Sequence, residues 1–113
     1  MKNQHFNLNI KYDQSAEVWK NVVATYSKLD GWLGFGDGKT GQKGIPYWFS
    51  FDENEKHICA SVEPSGLSFS GKLCDTDWCR WKYKTKVLVS HSIGLIVGEI
   101  EEGEVGYEAE PLE

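Results

Sequence analysis

The sequence predicts a single α+β domain, an antiparallel sheet carrying two helices in the order βαβββαβ, and three observations predict it. Several short runs alternate apolar with polar residues, the period of a half-buried strand. Two other segments place their apolar residues three and four apart, the period of a helix face. The strand runs from Tyr47 onward are separated by turn-length gaps, which suits a meander better than a βαβ crossover. At 113 residues, 40% apolar with five each of Trp, Tyr and Phe, the chain can bury one core without staples. Residues 1–113 therefore form one domain, with the acidic segment from about 101 to 113 a candidate for disorder.

Over residues 5–12, Phe6, Leu8, Ile10 and Tyr12 alternate with Asn7, Asn9 and Lys11, which predicts the first strand. Asp13 and Ser15 then offer N-caps, Glu17 stands where the helix dipole favours an acid, and Trp19, Val22, Val23, Tyr26 and Leu29 share one helical face. A helix of about four turns follows. Gly31, Gly34, Gly36, Gly38, Gly41 and Gly44 predict a flexible connecting loop. Beyond it, Tyr47, Phe49 and Phe51, then Ile58, Ala60 and Val62, then Leu67 and Phe69 predict three successive strands. Their connections are the polar loop 52–56 and Glu63-Pro64-Ser65-Gly66, with Pro second and Gly fourth as a type I turn prefers. Segment 76–92 fits two periods: charged and uncharged residues alternate from Arg80 to Val87, yet Trp78, Trp81, Thr85, Leu88 and Ser92 make a helical face. Asp75 and Asp77 at its start and Gly94 at its end favour the helix, and Leu95, Ile96 and Val97 then open a last strand toward Ile100.

Composition narrows the function classes. A net charge of −5 argues against nucleic acid or an anionic membrane as partner and in favour of a basic protein. No stretch has the apolar length of a membrane span, and residues 1–10 are too polar for a signal peptide, so the expected compartment is the cytoplasm. Three Cys are then expected as free thiols. The charge is also sorted: Arg80, Lys82, Lys84 and Lys86 precede a stretch from Glu99 to Glu113 that holds seven acids and no Lys or Arg. Leu112-Glu113 also has the form of an expression-vector scar, which would remove one of the seven.

The motifs that could carry chemistry fail on spacing. A Walker loop needs Gly five residues before the Gly-Lys-Thr at 38–40, and that position is Leu33. Cys59, Cys74, Cys79 and His57 lack the paired close spacing of a zinc site, and Cys59 lies in an expected strand where a thiol packs rather than reacts. His5, His57 and His91 read as surface or strand-edge residues, and helix capping accounts for Asp75 and Asp77. The basic stripe, with Trp81 and Tyr83 interleaved, could suggest nucleic acid, but on a helix it is a solvated flank that the Glu-rich end can neutralise. No catalytic, cofactor or metal residue is assigned, and the expected protein is not an enzyme.

Acidic clusters and surplus aromatics remain. Asp52, Glu53 and Glu55 crowd one loop and Glu101, Glu102 and Glu104 another, without catalytic partners, and aromatic anchors ringed by charge are the composition of a tight protein interface. The stretches Asp30-Gly31-Trp32-Leu33-Gly34-Phe35, Ile45-Pro46-Tyr47-Trp48-Phe49-Ser50-Phe51, Ala60-Ser61-Val62-Glu63-Pro64-Ser65-Gly66 and Val97-Gly98-Glu99-Ile100-Glu101-Glu102-Gly103-Glu104 resemble small acidic immunity proteins of bacterial contact-dependent growth inhibition and other polymorphic toxin systems, over roughly residues 15 to 107. That resemblance implies a cytoplasmic protein that binds one cognate toxin C-terminal domain, commonly a nuclease, and blocks it. In that role Asp52, Glu53, Glu55, Glu101, Glu102 and Glu104 would be electrostatic contacts to a basic active site, with Trp32 and Phe35 as apolar anchors. The free protein would be a monomer or a weak dimer. Two other readings stay open: a small-ligand or enzymatic domain whose Gly-rich loop closes over Trp48, His57 and Cys59, and a regulatory interaction module with no toxin partner.

Overall fold

A computed structural model describes residues 1–112. Its elements are β1 (Lys2–Leu8), α1 (Ala16–Tyr26), β2 (Trp32–Phe35), β3 (Pro46–Trp48), β4 (His57–Glu63), β5 (Gly66–Leu73) and α2 (Asp75–Ile93). The five strands form one antiparallel sheet in the order β1-β5-β4-β3-β2. The α+β class with two helices is as the sequence predicts. The element order, βαββββα, departs from the expected one in two places.

The first departure is inside the Gly-rich segment, where Trp32–Phe35 is an edge strand. Gly34, at φ +112°, sits where the β2–β3 register shifts, so a glycine that reads as loop is the bulge that lets this strand pair. The second is the missing last strand. Segment 95–100 joins no ladder of the sheet, and its amides are satisfied elsewhere: Val97 N–H donates to Ser90 Oγ at 3.0 Å and Gly98 N–H to Asn9 Oδ1 at 3.0 Å. A backbone whose donors are taken by side chains cannot extend a ladder. The tail then folds back, with Leu95 bridging Pro111 and Ile96 N–H donating to the Glu110 carbonyl at 2.8 Å. Residues 110–112 of the segment read as a candidate for disorder are thus laid along residues 94–96, and Glu113 lies outside the described residues.

Strand boundaries also move. β1 pairs from Lys2 and stops at Leu8, leaving Tyr12 63% exposed. β3 stops at Trp48 because Phe49, at φ +72°, turns out of the ladder and donates its N–H to the Gly31 carbonyl at 2.7 Å. α1 is N-capped by Ser15, whose hydroxyl accepts from Val18 N–H. The N-cap of α2 is Cys74, without a side-chain bond, so Asp75 and Asp77 are first-turn acids rather than caps. Gly94 ends α2 in the left-handed conformation that favours glycine.

Register decides which face is covered. Phe6 pairs Phe69, Phe69 pairs Ala60, and Ile58 pairs both Gly71 and Trp48, so these residues share one face with Leu8 and Leu67. Both helices pack on that face, bringing Val22 and Tyr26 from α1 and Trp78, Trp81 and Val89 from α2. Trp48 is fully buried at the centre, its ring 5.1 Å from Trp81 and 5.2 Å from Tyr26 by centroid. Its indole N–H donates to the Tyr26 carbonyl at 3.0 Å. The opposite face is polar, carrying Asn7, Ser68, Ser70, Ser61, Cys59 and His57.

Candidate functional site

The sheet has two ends, and they differ chemically. At one end β4 begins, β5 finishes and α2 starts, and here lies the loop with Asp52, Glu53 and Glu55. Asp52 Oδ1 accepts Asn54 N–H at 2.9 Å and its carbonyl accepts Glu55 N–H at 3.0 Å, a self-bonded turn of the kind short acids favour. Glu53 accepts from Gln42 Nε2 at 3.2 Å and from the Tyr47 phenol at 2.9 Å. Those two donors hold its carboxyl below the usual glutamate range.

The Gly-rich segment forms the wall of this end. It is wound on itself rather than being a flexible connector: Gly36 N–H reaches the Ile45 carbonyl at 2.8 Å and Gly38 N–H the Gly41 carbonyl at 3.1 Å. Asp37 Oδ1 accepts the amides of Lys39 and Thr40 at 2.8 and 2.7 Å, which keeps its carboxyl below the ordinary aspartate range, the Thr40 amide first. The segment lies over Tyr47, and a Cβ at Gly41 would come within 2.7 Å of that ring.

The ligand pocket envisaged under this loop is not assembled. Cys59 pairs with Tyr47 and Ile58 with Trp48, so His57 and Cys59 face the polar side while Trp48 faces the core. His57 is buried rather than peripheral, with Nδ1 3.0 Å from the Glu55 carbonyl. Burial pushes the Cys59 thiol up, away from the thiolate that a nucleophile requires. Cys74 and Cys79 are exposed on α2, and among the described residues no three His, Cys, Asp or Glu side chains converge as a metal would demand. Asp75 and Asp77 are engaged separately, Asp75 by Lys2 and Gln4, Asp77 by Lys56 and Arg80.

The other end, where β1 and β4 finish, carries the C-terminal acids. Two of them are consumed by α2. Glu99, 7% exposed, accepts from Lys86 Nζ at 2.6 Å and forms an ion pair with Lys82 Nζ at 3.2 Å, and Glu104 accepts from Lys86 Nζ at 3.0 Å. Lys84 pairs with Asp30 and Arg80 with Asp77, so the whole basic stripe is neutralised inside the molecule. By contrast Asp13, Glu63, Glu101 and Glu102, like Asp52, Glu53 and Glu55, have no ion-pair partner among the described residues.

The predicted contact residues therefore separate. Asp52, Glu53 and Glu55 occupy one end, and Glu101 and Glu102 the other, about 20 Å away along the seven residues of β4. Glu104 is tied to Lys86 and to the Glu99 amide. Trp32 is partly buried against Trp48 and Tyr26, while Phe35 leans on its edge and stays 47% exposed.

A groove of about 340 Å³ beside Phe35 is absent from the sequence reading. Its walls are Trp19 and Val23 of α1, Phe35, Ile45 and Pro46, and the end of β4 with Val62. β3 has three residues and β4 seven, so beyond Pro46 the outer edge of β4 has no strand beside it. The signal was present in Gly44-Ile45-Pro46, since proline ends a ladder early. Compared with models of known protein families, with curated proteins and with solved structures, the chain matches none.

Proposed function

We propose that this protein binds a basic protein domain and blocks it, as the immunity protein of a bacterial toxin, most simply a nuclease. The observation that carries the reading is the division of charge. Among the described residues, seven of the twelve Lys and Arg side chains are paired with acids inside the fold, while acids on turns at both sheet ends have no ion-pair partner. Turns fixed by their own hydrogen bonds hold those acids at little cost in entropy on binding. A nuclease site must be cationic to hold phosphates, so a fixed acidic surface both steers toward it and fills it. Asp52, Glu55, Glu101 and Glu102 supply the electrostatic attraction and Phe35 apolar contact. Glu53, Glu104 and Trp32 serve the fold first.

The test has two stages. The tagged protein is expressed in cells of its source and recovered at low and high salt, and any stoichiometric partner is then expressed alone in a host. A basic partner that is lost in salt, arrests growth on its own and is tolerated when this chain is coexpressed supports immunity. A partner that is harmless, or a complex indifferent to charge reversal at both ends, overturns it.

A further inference from the structure

The groove between α1 and the end of β4 has a definite kind of occupant. Ala60, Ser61 and Val62 all line it. Successive strand side chains point to opposite faces, so three consecutive residues can line one groove only by presenting their backbone edge to it. The opposite edge of β4 pairs with β5 through Ala60↔Phe69, Ser61↔Ser68 and Val62↔Leu67, whereas on the groove side the β3 ladder ends at Tyr47↔Cys59, leaving that edge unpaired among the described residues. An unpaired edge is a template for another strand. Beside it stand side chains that a packed fold would normally cover: Val62 is 51% exposed and Val23 41%. At about 340 Å³ the groove is at the small end of ligand pockets and suits one or two apolar side chains.

The surroundings set the occupant's charge. Val62 also lines a second concavity with Tyr12, Glu63 and Pro64, and Tyr12 and Pro64 line a third with Asp13, Ile100 and Tyr107. The groove thus opens onto a continuous strip whose acids, Asp13 and Glu63 with Glu101 and Glu102 next to Ile100, lack cation partners among the described residues. Lys11, the cation lining this strip, is already paired with Glu108 at 3.2 Å. Lys20 follows Trp19 and Lys43 precedes Gly44 in sequence, and neither lines the groove.

We infer that this notch receives an extended segment of a partner protein, which pairs with the Ala60–Glu63 edge, seats an apolar side chain against Val23, Phe35 and Val62, and lays cationic side chains over Glu63 and Asp13. Main-chain bonds give such a complex its affinity, and the pocket and acids its selectivity. The inference names the contact surface of the proposed function and relies on that reading only for the partner's being a toxin.

The probe is a synthetic nonapeptide with a Val-Phe pair in one half and three lysines in the other, titrated into the ¹⁵N-labelled protein. Amide shifts should concentrate at 60–63, 19–23 and 35, and Val62→Lys should weaken binding at least tenfold while the spectrum stays dispersed. Val23→Lys is the second variant, in case Val62→Lys disturbs the fold. Replacing the three lysines by glutamates should abolish binding. Shifts concentrated at 52–55, equal binding by the glutamate peptide, no effect of either variant, or no shifts at millimolar peptide would each overturn the inference. A toxin indifferent to Val62→Lys would sink the notch and leave the function; peptide binding without a toxic partner would do the reverse.

Discussion

Glu99→Gln tests whether the acidic end of the chain is held to α2 by charge. The Glu99 side chain is 9% exposed, against 16% for Lys86 and 23% for Lys82, so the carboxylate is largely removed from water while the ammonium groups keep some solvent. An exposed pair contributes about 0–1 kcal/mol, and removing one partner of a fully buried pair costs about 3–5 kcal/mol. The amide keeps the shape and one acceptor, Lys86 retains Glu104, and Lys82 loses its acid. The expected loss is therefore about 2–3 kcal/mol, read by urea unfolding, or about 10 °C in Tm for a domain of this size. Lys86→Met should be coupled to it, the double variant losing at least about 1 kcal/mol less than the two singles together. A loss below about 0.5 kcal/mol, or strict additivity, would refute the account.

The pH dependence of this anchor has a definite sign. Burial works to lower Lys86 and is outweighed by its bonds to Glu99 and Glu104, which hold the ammonium above the usual lysine range. Burial works to raise Glu104 and is outweighed by the Glu99 amide and Lys86, which hold the carboxyl below its usual range. A lysine raised on folding contributes stability that is complete below its unfolded pKa, about 10.4, and lost as pH rises through the folded value; a depressed glutamate contributes above about 4.3 and loses it as pH falls. The anchor should hold steady between about pH 5 and 10 and weaken at both extremes.

Three further outcomes follow from the core and the wound loop. Trp48→Phe removes one of the two donors to the Tyr26 carbonyl, the other being Leu29 N–H, and leaves a void among four rings, and should cost about 2–3 kcal/mol in urea; a midpoint near wild type would refute the central role of that indole. Gly41→Ala puts a Cβ at φ +74° and 2.7 Å from the Tyr47 ring, and should cost about 1–3 kcal/mol by thermal melting, whereas a flexible connector would show no loss. Burial pushes the phenols of Tyr26 and, to a smaller degree, Tyr47 above the usual tyrosine range. Neutral phenols raised on folding lose their contribution as pH climbs past about 10, so the phenolate absorbance of these two should appear only together with loss of tertiary circular dichroism.

The parts of the fold that were legible are those where period alone decides. Trp78, Trp81 and Thr85 announce α2 because alternation of Lys with neutral residues carries no hydrophobic preference for strand, while three residues on one helical face do. β4 and β5 are legible for the converse reason, strict alternation bounded by a Pro-Ser turn. β2 was hidden because its glycine serves a bulge, and the missing last strand because its amides bond to Asn9 and Ser90, residues with no local mark of that role. The acidic loops were legible as charge. Their separation to opposite ends was not, since it depends on Gly98 bonding to Asn9 just beyond the end of β1. The notch is a difference in length between two neighbouring strands, and its one mark in the sequence is Pro46, where the β3 ladder ends early.

The sorted charge of the sequence has a different meaning in three dimensions. Lys82 and Lys86 are spent on Glu99 and Glu104, and Arg80 and Lys84 on Asp77 and Asp30, so the positive run is not the molecule's electrostatic face, while Glu101 and Glu102 keep no cation partner among the described residues. Among the unpaired acids that a partner meets, those on turns at the two sheet ends form two sets about 20 Å apart. Between solvent-exposed charges at physiological salt, interaction decays over about 8 Å, so the two sets act independently. Their neighbours differ as well. Asp52 and Glu55 have beside them a loop closed by its own hydrogen bonds, whereas Glu63 and Asp13 adjoin Val62, Tyr12 and Tyr107, where exposed apolar surface is available to bury. Steering needs only charge, but a long-lived complex needs desolvated apolar contact as well. Reversing Asp52 and Glu55 should then slow association with a basic partner and leave dissociation nearly unchanged, while reversing Glu63 and Asp13 should also speed dissociation. Equal kinetic effects from both ends would mean that the partner spans the sheet instead of docking at one end of it.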